Sequence, residues 1–220
     1  LWEIGGPEVV TQADLLTSLR NWMGLRPAPL WPVPGWLARG AGRLGDALRL
    51  GPISTTALRQ LDQGVLADPA PLLAQITTRP RGVSAFLAAR PAGSQDLWHA
   101  RLYLLRPLIR LILAVMWLVS ACLGLFTPLA DFADQVALPD WLALGLARGG
   151  GLVDLALGLA LLRDWRPRLV AQMQLGTVLA YTLGLSLLAP ALWLDPFGAL
   201  LKNLPVLALI LTHLALAEER

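Results

Sequence analysis

The second half of the chain consists of long apolar runs separated by short charged segments. Residues 111–130 carry no charged side chain, and neither do residues 169–194. Each run is long enough to cross a hydrocarbon layer of about 30 Å as a helix. Because lipid offers the backbone no hydrogen-bond partners, a chain that crosses it must be helical or form a closed barrel. Both runs are therefore predicted to be membrane-spanning helices.

Two further apolar runs contain ionisable side chains. Residues 142–162 include Arg148 and Asp154, and residues 197–217 include Lys202. We interpret both runs as additional crossings whose charged groups need a partner or an aqueous surface. The pattern thus predicts a four-helix transmembrane bundle with spans at about residues 104–127, 142–162, 168–190 and 197–217.

The first 98 residues have the spacing of ordinary amphipathic helices. Thr11 and Ser54 are each placed to cap the start of a helix, and the prolines of residues 26–34 predict an extended segment between those helices. We therefore predict a mainly α protein, with a small, mostly helical soluble domain containing one or two short extended segments (1–98) and a membrane domain (99–220). The sequence does not open with methionine, which suggests part of a longer chain.

The composition agrees with a membrane protein. Hydrophobic residues make up 55% of the chain and charged residues 15%, whereas soluble domains carry about 25% charged residues. The net charge is +3, but the arginines form no dense patch, so no nucleic-acid partner is predicted. The single cysteine, Cys122, leaves no disulfide framework and no cysteine-ligated metal site, and we expect it to be a buried packing residue.

The charges between the runs predict an orientation. Arginines lie before the first span and between the second and third, at Arg101, Arg106, Arg110, Arg163, Arg166 and Arg168. The loops on the opposite side are acidic, with Asp131, Asp134, Asp140 and Asp195. By the positive-inside rule, both termini and the soluble domain are expected in the cytoplasm.

The string Gly40-Ala41-Gly42-Arg43-Leu44-Gly45 matches the G-x-G-x-x-G pattern of dinucleotide-binding loops. That pattern binds a pyrophosphate only where a buried strand runs into it. Here four prolines precede it, at Pro27, Pro29, Pro32 and Pro34, and proline cannot donate to a central strand. The string is therefore predicted to lie inside an amphipathic helix, where small residues allow close packing.

Asp154 is the most informative single residue, because an ionised carboxylate inside a membrane is costly unless it is paired or hydrated. Gly151 and Gly158 lie on its face of the helix and would let a neighbouring helix approach. Lys202, beside Asn203, is the favoured partner in a structural ion pair. A polar ligand or proton site on the same groups, and separate snorkelling of each charge to the interface, remain the alternatives.

Other small and polar residues lie on the third and fourth spans. Gly176, Ala180 and Gly184 recur at intervals of four, as in a helix-packing seam. Gln174, Thr177, Tyr181 and His213 could hydrogen-bond a quinone carbonyl, but such groups more often bond across helices or to the backbone. Short-chain dehydrogenases use a Tyr and a Lys four residues apart, and neither tyrosine has that lysine. No catalytic residue and no metal ligand is assigned.

Three segments of the second half resemble the DoxX-like membrane family. They are GGLVDLALGLALL, RPRLVAQMQLGTVLAYTLGLSLLAP and WLDPFGALLKNLPVLALIL, within about residues 100–217. The resemblance implies four membrane helices, with an acidic residue in the second and the LLKNLP sequence entering the fourth. The family takes its name from a quinone-linked oxidoreductase subunit, so the resemblance also implies quinone as a candidate partner.

The segment EIGGPEVVTQADLLTSL, with the later PVP, resembles the C-terminal, substrate-side tail of atypical short-chain dehydrogenases of the NAD(P)-dependent, epimerase-like group. Some bacterial proteins resemble a fusion of that group with the DoxX-like family in this order. The resemblance implies that NAD(P) binds upstream of Leu1 and that this chain holds no cofactor itself.

Together these features suggest the C-terminal part of an NAD(P)-dependent oxidoreductase anchored in the bacterial inner membrane. The expected contacts are the lipid bilayer and either quinone or other membrane redox subunits, and a homo-oligomer is left open. The alternative is a non-catalytic membrane module that assembles with subunits or binds a lipid-soluble ligand.

Overall fold

The computed structural model describes residues 3–50, 53–128 and 138–217, and over these ranges its regular elements are helices without a β-strand. The chain divides into two compact units, Leu1–Tyr103 and Leu104–Arg220. Each unit is described by itself below. The acidic residues Asp131 and Asp134, used above to predict the orientation, lie outside the described ranges.

In residues 3–50 and 53–103 the N-terminal unit has six short helices. Their bounds are α1 Gln12–Trp22, α2 Gly35–Ala47, α3 Thr55–Gln63, α4 Ala70–Leu73, α5 Val83–Ala88 and α6 Ser94–Leu102. Both predicted caps form, because Thr11 accepts a hydrogen bond from the Asp14 amide at 3.1 Å and Ser54 accepts one from the Ala57 amide at 3.1 Å. The proline-rich segment before α2 forms neither helix nor strand.

The glycine string lies inside α2, as its proline-rich approach predicts. A methyl group at Gly42 would meet Leu58 Cδ1 of α3 at 2.8 Å, and one at Gly45 would collide with the backbone of Ile53. These glycines therefore let α2 lie directly against the chain at the start of α3. A loop that holds a pyrophosphate needs those amides free at a helix start, which this arrangement does not provide.

The N-terminal unit has no large buried side chain among its described residues, since Gly42 and Gly45 are its only buried positions there. An isolated domain of this length normally buries well over half of the surface that its unfolded chain exposes. The exposed apolar side chains of this unit, including Trp31 and Trp36, are thus surfaces that remain without a partner within the unit.

Within its described residues, 104–128 and 138–217, the C-terminal unit contains three long helices and one shorter helix. Their bounds are α7 Leu105–Phe126, α8 Asp140–Leu162, α9 Pro167–Leu188 and α10 Asn203–Ala215, with a 3₁₀ turn at Pro190–Trp193. Among the described residues, three stretches are long and apolar enough to cross a membrane, namely Ser94–Phe126, Asp140–Leu162 and Pro167–Leu188. They correspond to the first three predicted spans.

The fourth predicted span, residues 197–217, is shorter in the structure. Its helix α10 has 13 residues, which corresponds to about 20 Å at the α-helical rise. The helix starts late because Asp195 accepts hydrogen bonds from the amides of Phe197 and Ala199, and Gly198 adopts a left-handed φ of 64°. These interactions form a turn where the apolar pattern alone predicts helix.

The four described helices of this unit all contribute to one apolar core. It contains, among others, Leu113 and Trp117 of α7, Leu157 of α8, Val178 of α9 and Ile210 of α10. On α7 and α9 the buried positions recur about every three or four residues, as expected for one face of a helix. The polar groups described next lie on these same faces.

The backbones of α7 and α8 approach very closely. A methyl group at Gly124 would lie 2.9 Å from the Ala147 carbonyl oxygen and 3.0 Å from Gly151 Cα. One at Gly158 would lie 2.8 Å from the side chain of Leu118. Gly151 and Gly158, predicted as packing positions, therefore both lie against α7.

Candidate functional site in the helical core

Asp154 lies at the contact of three helices, with its side chain buried at 3% exposure. Its Oδ2 accepts a hydrogen bond from Ser120 Oγ of α7 at 2.5 Å, and its Oδ1 accepts one from Tyr181 Oη of α9 at 3.0 Å. We call these three residues the Asp154 triad. Both carboxylate oxygens have a donor, so the triad links α7, α8 and α9 through one side chain.

Gly150 provides the space for the Tyr181 phenol. A methyl group at Gly150 would lie 2.8 Å from Tyr181 Oη, closer than side-chain carbons normally approach. Sequence reasoning missed Gly150 and Ser120. A signal existed for both, because Gly150 precedes Asp154 by one helical turn and Ser120 is the only hydroxyl within the first apolar helix up to Phe126.

Lys202 is not the partner of Asp154, which corrects the favoured prediction. The lysine is exposed, and within the described ranges no ion pair joins it to Asp154. Its long side chain reaches outward from the turn before α10, as lysines near helix ends commonly do. Asn203 instead donates from Nδ2 to Thr182 Oγ1 at 2.7 Å, which connects α10 to α9.

Gln174 and Trp117 form a second buried polar contact. Trp117 Nε1 donates to Gln174 Oε1 at 2.8 Å, and both side chains are almost fully buried. Because an indole N–H can only donate, the amide must present its oxygen to Trp117. The amide nitrogen of Gln174 is left without a hydrogen-bond partner among the described residues.

The polar stripe predicted on the third span separates into different roles. Thr177 donates to the carbonyl oxygen of Met173 at 2.9 Å, a bond within its own helix. Tyr181 belongs to the Asp154 triad, and Gln174 contacts Trp117. The structure therefore leaves Gln174 as the member of this stripe with unused hydrogen-bonding capacity.

His213 lies buried on α10 at 2% exposure, and neither ring nitrogen has a hydrogen-bond partner within residues 3–50, 53–128 and 138–217. Three charged side chains interact electrostatically with its ring, namely Asp164, Arg106 and Arg110. Arg110 donates from Nη1 to Asp164 Oδ2 at 2.8 Å, which forms an ion pair with the arginine almost fully buried. His213 thus belongs to the same end of the core as the arginine-rich segments.

Arg148 has a structural role that sequence reasoning did not assign. Its guanidinium donates to the carbonyl oxygens of Gly124 at 2.8 Å and Thr127 at 3.1 Å. Both carbonyls lie at the C-terminal end of α7, where backbone acceptors lack helical partners and a positive charge is favoured. Arg148 therefore caps α7 from α8.

Two packing predictions do not hold in the structure. A methyl group at Gly176 or Gly184 would meet nothing within 4 Å, and Ala180 between them is exposed. Among the described residues, no neighbouring atom therefore packs closely on Gly176 or Gly184. Cys122 is also exposed, not buried, because it lies on the outer face of α7. In the part of the chain that the structure describes, no cluster of three potential metal ligands occurs.

Residues 114–211 match the model of the DoxX-like family. The match includes Ser120, Asp154, Gln174 and Tyr181, and it ends before His213. No curated protein and no solved structure matches the chain. The three apolar helices and this family match together describe a membrane protein in contact with the lipid bilayer. None of these comparisons supports a dehydrogenase-like domain in residues 1–98.

Proposed function

We propose that this chain is the C-terminal, membrane-embedded part of an NAD(P)-dependent oxidoreductase and that its helical core binds a membrane quinone. In this proposal residues 1–98 are the substrate-side tail of a short-chain dehydrogenase-like domain. The protein lies in the bacterial inner membrane with both termini in the cytoplasm. The observation that carries the proposal is the unpartnered amide nitrogen of Gln174 inside an apolar core.

An unpartnered N–H group in a dry interior is costly, by roughly 1 to 3 kcal/mol in proteins. A quinone offers what Gln174 lacks, since it combines an apolar ring with carbonyl acceptors. Trp117 fixes the amide orientation through Oε1, so the remaining N–H groups are held in place to donate. The nitrogens of His213 offer a second donor or acceptor in the same core.

The overall reaction balances without a further reactant. When bound in the dehydrogenase-like domain, NAD(P)H would supply two electrons and one proton, and a second proton from water would complete reduction of a quinone to the quinol. The residues of this chain would bind the quinone and exclude water from it. The Asp154 triad would hold α7, α8 and α9 in register around Trp117 and Gln174.

The test uses membranes containing the full-length protein. We expect NAD(P)H oxidation that depends on added quinone. Replacing Gln174→Met removes the donor while keeping the length of the side chain, and should raise KM for quinone by about tenfold, the effect of one hydrogen bond. Thr177→Val is the matched control, because its hydroxyl bonds only to its own helix, and it should leave KM unchanged.

Absence of quinone-dependent oxidation in the full-length protein would contradict this proposal. One observation favours the alternative of a non-catalytic module for subunit assembly or ligand binding. In the Asp154 triad each hydroxyl donates to the carboxylate, which is what a purely structural link between helices requires. Cofactor binding without quinone-dependent turnover would support that alternative.

A further inference from the structure

Helix α2 presents three distinct faces. With about 100° between successive residues, Ala38, Gly42 and Gly45 fall together, and the two glycines lie against the start of α3. Arg39, Arg43 and Asp46 share a second face. Leu37 and Leu44 share a third face and are 49% and 58% exposed. Trp36, 71% exposed, lies beside Arg43 at the border between the charged face and this apolar face.

The charged face is not neutralised within the unit. Asp46 accepts hydrogen bonds from the hydroxyl and the amide of Thr55, so its carboxylate is engaged at the start of α3. The guanidinium groups of Arg39 and Arg43 have no hydrogen bond or ion pair with the described residues. Two free cations thus border the apolar face of α2.

The apolar face continues into the segment before the helix. Leu30, Trp31 and Val33 are 66%, 81% and 61% exposed. Two tryptophans, three leucines and two arginines without a partner among the described residues form the combination found in helices that lie in the membrane interface. There the indole and aliphatic groups enter the headgroup region, and the arginines contact phosphates.

We propose that the surface formed by Leu30, Trp31, Trp36, Leu37 and Leu44, which we call the α2 face, lies on the membrane and binds anionic phospholipid through Arg39 and Arg43. Charge complementarity favours lipid over a protein partner, because a protein interface would have to supply an acid for each arginine. The position of this unit in the sequence also favours lipid as the partner. The unit leads directly into the apolar helix that begins at Leu105, which tethers it to the bilayer at the end where that helix begins.

The test uses the full chain in lipid nanodiscs. Cys122 is the only cysteine, so a Cys122→Ala background accepts one introduced thiol for an environment-sensitive fluorophore. The reporter is Leu44→Cys on the α2 face, and the matched control is Gln63→Cys, an exposed position at the end of α3. Discs of phosphatidylcholine are compared with discs that also contain phosphatidylglycerol.

We expect a nitroxide attached to the lipid to quench the label at position 44 in the phosphatidylglycerol discs, whereas the label at position 63 should respond to an aqueous quencher. Replacing both Arg39→Gln and Arg43→Gln should lower the ratio of docked to undocked protein by about 30-fold. Arg59→Gln, which removes an exposed charge from α3, should have little effect.

Two results would overturn the proposal. A label at position 44 that is open to the aqueous quencher in both lipids would show a free surface. A label shielded from water but not quenched by the lipid nitroxide would show that protein covers the α2 face, either another domain or a second copy. The replaced side chains are exposed, so these variants should fold, and circular dichroism checks this.

Discussion

Tyr181 donates a hydrogen bond from its phenol to Oδ1 of Asp154 at 3.0 Å, and this bond connects α9 to α8. The phenol reaches the carboxylate over Gly150, whose missing side chain leaves the required space. Ser120 completes the contact from α7. Among the described residues, this buried acid is thus satisfied by two neutral hydroxyl donors and by no basic side chain.

Removal of the phenolic hydroxyl should destabilise the membrane unit. Tyr181→Phe leaves Oδ1 of Asp154 without its donor, so the free energy of unfolding should fall by about 1 to 3 kcal/mol. The measurement is reversible unfolding of the purified protein in detergent micelles. Tyr103→Phe is the control, because Tyr103 is the only other tyrosine and is exposed. Equal stability of the two variants would contradict the triad.

Two adjacent glycines on α8 should differ in their response to alanine. Gly150→Ala places a methyl group 2.8 Å from Tyr181 Oη, which should displace the phenol and destabilise the protein by about 1 to 3 kcal/mol. Gly149→Ala meets nothing within 4 Å and should leave stability unchanged or slightly raised. In a Tyr181→Phe background the effect of Gly150→Ala should shrink, and a full effect there would argue against this contact.

Lys202 should be separable from Asp154 by a double-mutant cycle. The structure has no ion pair between them, so Lys202→Met should change the unfolding free energy by less than about 0.5 kcal/mol. Asp154→Leu, which leaves two half-buried hydroxyls without their acceptor, should cost about 2 kcal/mol or more. A coupling energy near zero supports the structure, and a coupling energy above about 1 kcal/mol would indicate an ion pair between Lys202 and Asp154.

Arg148→Met should weaken the end of α7. The substitution removes two charge-assisted hydrogen bonds to the carbonyl oxygens of Gly124 and Thr127, and bonds of this kind contribute about 1.5 to 3 kcal/mol. Hydrogen exchange of the last turn of α7 should rise in this variant. Lys202→Met is the matched control, since it also removes one positive charge, and exchange equal in both variants would contradict the cap.

The long helices could be predicted from sequence because their cause is local. Uncharged runs of sufficient length define α7 and α9, and the helical period places Asp154 on the inner face of α8. The late start of α10 is not predicted by the apolar pattern. The side chain of Asp195 and the left-handed Gly198 form a turn there, and mean hydropathy does not distinguish a turn from a helix.

The partners of the polar groups could not be predicted, because they depend on the rotation and relative height of whole helices. Charge alone favours Lys202 as the partner of Asp154. In the structure Ser120 and Tyr181 are the partners, because the close contacts of α8 with α7 and α9 bring them there. The same limit explains Cys122, since an apolar run does not reveal which of its residues face outward. Gly176 and Gly184 have the spacing of a packing seam, yet no described atom packs on them. A pattern of small residues therefore does not show by itself that another helix packs there.

The near contact of Gly124 and Gly151 has a consequence for motion. Two helices whose backbones touch have no side-chain layer between them that could slide or change rotamer, so α7 and α8 should move as a single rigid piece. A molecule that enters the core should therefore displace α9 and α10 from the pair formed by α7 and α8. Displacement of α9 would break the hydrogen bond between Tyr181 and Asp154.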